Sequence, residues 1–322
     1  MKGLSLLVSI VVLAASCDNA KPITEVIEDS FDKIDLDSPE NIELGRKLFF
    51  DSRLSIDKKT SCSSCHLPEF AFSDRMQFSE GVNGHFSSRN SPSILNSKFL
   101  ERLMFDAEIK TLEEQALVPI QDTNELGMVM SDLIQRLISI PEYQNAAQSI
   151  YNRDFDAYVL TRSLAAYQRS LLSMNSRFDK AERGELARSA EEERGWKLFS
   201  EDLYCTKCHP APYFTTFKAD NNGLLDDYTL DEGRFRIDFD SSEIGFFKIP
   251  SLRNVELTYP YMHDGSLKSL GDVLSHYASG GSGHPNKSEH ILPFNLSKQD
   301  GVDLKAFLYS ITDTSYLLNA SK

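Results

Sequence analysis

Two copies of one short string, Cys62-Ser63-Ser64-Cys65-His66 and Cys205-Thr206-Lys207-Cys208-His209, constrain this chain more than any other feature. At the chain's own cysteine and histidine frequencies, the expected number of chance Cys-x-x-Cys-His strings is roughly two in a thousand. Thiols at this spacing can form thioethers with two haem vinyl groups, and the adjacent histidine then falls beneath the iron as proximal ligand. Cys62, Cys65 and His66 therefore read as one haem c site, and Cys205, Cys208 and His209 as a second. The alternatives are two redox disulfides, or one zinc site built from the four thiolates and both histidines. Zinc would need segments 143 positions apart to converge.

The fifth cysteine belongs to the N-terminus. Lys2, the apolar run Leu4 to Leu13 and the small residues Ala14-Ala15-Ser16 before Cys17 make a lipoprotein-type signal peptide over residues 1–17. An ordinary signal peptide with a stray Cys17 is the alternative. The chain is read as exported, lying on the periplasmic side and anchored to a membrane through lipidated Cys17, with acidic residues 18–37 as a tether. Two haems and one lipid account for every cysteine and leave none for a structural disulfide. The balance of 34 basic against 48 acidic residues, with no Lys/Arg-rich tract, excludes nucleic acid as a partner.

An internal repeat divides the rest. Gly45-Arg46-Lys47-Leu48-Phe49 precedes the first haem string as Gly195-Trp196-Lys197-Leu198-Phe199 precedes the second. Pro92-Ser93-Ile94-Leu95-Asn96 matches Pro250-Ser251-Leu252-Arg253-Asn254, and Asp106 to Leu112 matches Asp264 to Leu270, both at an offset of 158. Ser38-Pro39 and Ser189 followed by glutamates start helices. Helical periodicity recurs at 132–137, 157–172 and 302–311, the last opened by a Ser297/Asp300 capping box. The fold is predicted to be mostly α, two cytochrome c-like haem domains in tandem over 38–180 and 181–322, joined near Asn175 to Arg188. The same offset sets Tyr277, whose phenol can bind ferric iron, opposite Pro119, which has no ligand atom. A filled second site and an open first site follow. The alternative for Tyr277 is a core tyrosine, and His276, the nearest competing ligand, is about 100° round the helix.

These strings, with Asn90-Ser91-Pro92 and Pro260-Tyr261-Met262-His263-Asp264-Gly265, resemble the bacterial di-haem cytochrome c peroxidase family over nearly all of the mature chain. Tyr277 stands 14 positions after His263, where the peroxidases proper carry methionine and the MauG branch carries tyrosine, so the resemblance is to that branch. It implies a peroxidatic N-terminal haem, an electron-transfer C-terminal haem ligated by Tyr277, and a calcium ion held by the Asn90 side chain and the carbonyls of Thr258 and Pro260. It also implies catalytic roles for Gln115, which would orient peroxide, and Glu125, which would pass a proton between its oxygens. Two positions depart from the family. Val82 stands where many members have a distal histidine, with His85 three places late and read as a surface residue, and Phe105 replaces a tryptophan between the haems. The activity expected is reduction of hydrogen peroxide with electrons from a cytochrome or other protein donor. Its rivals are MauG-like oxidation of side chains in a partner protein and a di-haem electron carrier without peroxidase activity.

Overall fold

In the computed structural model, the structure describes residues 37–317; the segment read as a signal peptide, Cys17 and most of the expected tether lie outside them. The first half runs through α1 (Pro39–Phe49), α2 (Cys62–Cys65), α3 (Leu112–Gln115), α4 (Leu117–Gln121), α5 (Met130–Ile138), α6 (Pro141–Tyr151) and α7 (Ala157–Ser170). The second carries α8 (Arg177–Glu182), α9 (Ala190–Lys197), α10 (Phe235–Asp238), α11 (Leu270–Ser279) and α12 (Lys298–Ser310). A single two-stranded antiparallel pair, β1 (Ala219–Asp220) with β2 (Phe247–Lys248), is the sheet among the described residues. The expected starts are all capped: Ser38 accepts from Asn41 N ahead of Pro39, and Ser189 with Glu192 and Ser297 with Asp300 form capping boxes.

Each half is built on one helix crossing. α1 packs on α7 and α9 on α12, and both crossings depend on a glycine. A Cβ on Gly45 would stand 1.8 Å from the Ser163 carbonyl oxygen, and one on Gly195 would stand 2.0 Å from that of Asp303. No rotamer relieves a clash with backbone, so the helices would have to separate. Gly195→Ala is therefore expected to lower unfolding free energy by about 3 kcal/mol, the upper end of ordinary overpacking. A lower denaturant midpoint at unchanged slope would register it.

The repeat at 158 positions extends to the backbone. The bridge Leu103↔Ile109 recurs as Tyr261↔Leu267, and the left-handed Asn96 (φ 60°) recurs as Asn254 (φ 60°). Ser93 Oγ donates to Ala71 O and Ser251 Oγ to Tyr213 O, both at 2.6 Å. The two asparagines meet at one residue. Asn96 holds both backbone groups of Ser173 at 2.9 Å, and Asn254 Nδ2 donates to the Ser173 hydroxyl at 3.1 Å. Beyond Ser173 the chain already belongs to the second core, where Phe178 packs with Phe199, Phe214 and Phe307. The changeover of packing thus precedes α8, earlier than the polar composition of 175–188 suggests. In return, the C-terminal segment crosses back: Tyr316 is buried against Phe72 and donates to Pro68 O at 2.9 Å.

Candidate active site

Both Cys-x-x-Cys-His segments end in a histidine held the same way. His66 Nδ1 donates to Phe72 O at 2.9 Å, with Ser91 Oγ at 3.3 Å, and His209 Nδ1 donates to Phe214 O at 3.0 Å. Phe72 (φ 58°) and Phe214 (φ 53°) are bulky residues in the left-handed region, a strained conformation sustained where it aims those carbonyls at the imidazoles. Bonding at Nδ1 fixes the tautomer and leaves Nε2 as the ligand atom. Burial lowers the pKa of both rings, so each is neutral, the form that binds metal.

The four thiols are unpaired. Burial raises all four thiols, Cys62 and Cys205 up to about 12 and Cys65 to about 11. Among the described residues no three His, Cys, Asp or Glu side chains converge as a metal cage. The zinc alternative is thereby set aside. Two free thiols at Cys-x-x-Cys spacing beside a tautomer-locked histidine fit covalent haem, twice.

The opposite faces differ. On α11 the Tyr277 hydroxyl lies within electrostatic reach of Cys205 and Cys208, receives the Asn222 amide at 3.5 Å, and is pushed by burial up to about 12. Its competitors are engaged elsewhere: His276 Nε2 donates to Asn222 O at 3.1 Å, and His263 stacks on Phe247 at 3.7 Å. In the first half Pro119 lies in α4, and Glu125 follows in the next loop, where both Cys62 and Cys65 feel its charge. Burial, with a smaller push from the Asp122 charge, raises the Glu125 carboxyl to about 7. Gln115 closes α3 with its amide 3.9 Å from the Met104 sulfur. Val82 is buried and His85 exposed, turned outward beyond the left-handed Asn83.

Between the halves, the loop carrying Asn90 is fastened to the one carrying Thr258 and Pro260. Asn90 N donates to His263 O at 2.8 Å, and Arg75 donates to Leu257 O at 3.1 Å while lying between the rings of Phe70 and Tyr259. The Asn90 amide donates to Met76 O at 2.7 Å. Phe105 is half-buried on the same seam, its carbonyl accepting from Lys248 N. Around it Arg89 bridges Asp106 and Asp231, and Arg236 also pairs with the fully buried Asp106. Sequence reasoning missed Arg89, Asp231, Arg236 and Asn222, which carry no motif. Only Asp106 had a signal, as the first residue of the second repeated string.

Two such histidine and thiol sets on repeated helical halves define a di-haem c-type cytochrome. The profile of the Di-haem cytochrome c peroxidase family matches residues 39–187. Methylamine utilization protein MauG of Methylorubrum extorquens is 35% identical, the match covering 85% of this chain and 78% of that protein. Cytochrome-c peroxidase IdrP1 of a Pseudomonas species is 31% identical, over 98% of this chain and 92% of that protein. A solved MauG-like protein associated with microbial copper homeostasis superposes with a TM-score of 0.83 at 31% identity, over 87% of this chain and 91% of that one. The chain belongs to the di-haem cytochrome c peroxidase family.

Proposed function

We propose that this protein is an exported di-haem peroxidase that reduces hydrogen peroxide with electrons from a cytochrome or other protein donor. The observation that carries the reading is the asymmetry between otherwise matching sites: Tyr277 faces one haem string, while half-buried Glu125 stands at the other and the position matching Tyr277 is Pro119. A carrier would use two filled sites, and Pro119 has nothing to fill the first with.

His66 and His209 would hold the two irons through Nε2, with Cys62, Cys65, Cys205 and Cys208 as the covalent attachments and Tyr277 as the second ligand of the C-terminal site. Haem bound there supplies the redox chemistry for O–O cleavage. Gln115 orients hydrogen peroxide by hydrogen bonding. Glu125, poised near neutrality, takes a proton from one peroxide oxygen and returns it to the other, which leaves as water. With two electrons from the donor and two protons, one peroxide yields two waters. Asn90, Thr258 and Pro260 would hold calcium at the fastened seam, and the two halves would serve as tandem haem domains, peroxidatic first and electron-transferring second.

Tyr277 supports a second reading, MauG-like oxidation of side chains in a partner protein. The identity of the reductant separates the two: a peroxidase consumes peroxide in proportion to reduced cytochrome added, whereas a modifier consumes it in proportion to partner. Protein matured in a haem c-competent host is expected to carry two haems by mass. Its oxidised electron paramagnetic resonance spectrum should show one high-spin and one low-spin ferric haem. Two low-spin haems would assign the chain to electron carriage.

A further inference from the structure

Lys248 is a half-buried cation with no partner among the described residues. Lys248 lies on β2, whose backbone is fixed from both sides: Ala219 faces it across the strand pair, and its own N–H donates to Phe105 O at 2.6 Å. Successive strand residues face opposite ways. Phe247 fills its side of the strand, stacked on His263 at 3.7 Å with the Arg89 guanidinium 5.3 Å from its ring. Lys248 points to the other side. There no carboxylate and no other acceptor among the described residues meets its ammonium, and burial alone brings that group down to about 8. An ammonium partly withdrawn from water without an anion is costly, and an anion from outside the chain would offset that cost.

Two features say which anion. Lys248 stands two residues before Pro250, whose carbonyl lies against the His209 imidazole, so it belongs to the wall of the second haem string. At the repeat offset of 158 its counterpart is Asn90, on the seam-facing loop of the first half. We infer that Lys248 is the counter-ion of a haem propionate, binding the haem attached at Cys205 and Cys208 where it meets the seam beside Phe105. The inference rests on the di-haem reading. The bond is an ion pair between an ammonium and a carboxylate, and its charge acts on the iron through space: a fixed cation favours the reduced, less positive haem.

The test is a potentiometric titration of the fully matured protein, with haem count by mass. Lys248→Met and Lys248→Gln are expected to retain two haems and to lower the midpoint of the low-spin haem. At the wild-type midpoint its oxidised-to-reduced ratio should rise about tenfold, or about 59 mV for a one-electron couple. Lys248→Arg, which keeps the charge, should stay within about twofold of wild type. An unchanged low-spin midpoint in both neutral variants, or a shift confined to the high-spin haem, would overturn the assignment. A wild-type protein with fewer than two haems would instead sink the di-haem reading beneath it.

Discussion

Glu125→Gln is expected to slow peroxide consumption by roughly 10² or more while leaving both haem spectra and the haem count intact. The isostere keeps volume and hydrogen bonding but cannot accept a proton, so only the transfer between peroxide oxygens is lost. The carboxyl is raised to about 7 chiefly by burial. As a base it acts ionised, so kcat/KM for peroxide in the native protein should fall as pH drops below about 7 and level off above it. In Glu125→Gln that limb should vanish. Unchanged kinetics, or a limb that survives the substitution, would reduce Glu125 to a bystander on the loop after α4.

Tyr277→Phe should convert the low-spin ferric signal entirely to high-spin, leaving two five-coordinate sites. Phenylalanine fills the same space on α11 and removes only the oxygen that lies near Cys205 and Cys208. Neither nearby histidine is free to take its place: His276 is bound to the Asn222 carbonyl, and His263 is stacked on Phe247 and bonded through its own carbonyl to Asn90 N. Either would have to give up a buried contact to reach the iron. A low-spin signal that persists in Tyr277→Phe would show that one of them does so, or that Met262, whose sulfur accepts from the same Asn222 amide at 3.2 Å, binds instead.

What could be read from the sequence was what chemistry or backbone geometry ties to residue type. Thioether attachment demands cysteines at fixed spacing with histidine next, and a left-handed turn at Asn96 and Asn254 favours asparagine, so both halves announced themselves. Helix starts were legible for the same reason, since few side chains cap an N-terminus. The contrast of Tyr277 with Pro119 came from register alone. The seam did not come through. Arg89 and Asp106 come from two loops of the first half, and Asp231 and Arg236 from the loop before α10 and from α10 itself, and nothing in the local pattern of any of them signals the others. Phe178 misled in the opposite sense: it sits in a polar stretch that reads as a linker, yet its ring is buried among Trp196, Phe214 and Phe307. Lys248 was hidden by its own ordinariness, a lysine whose want of a partner only tertiary structure reveals.

The meeting of Asn96 and Asn254 at Ser173 bears on how such a chain can change over time. Two matching halves invite the view that each is a portable module, free to be exchanged or lost. Ser173 denies that freedom, because its backbone satisfies one half and its hydroxyl the other, while Asp313 N closes the same knot by donating to Asn254 at 2.7 Å. Removing either half would strand buried hydrogen-bonding groups in the one that stayed. The repeat thus records a duplication whose copies have since become obligate partners, able to diverge at Tyr277 and Pro119 but no longer to separate.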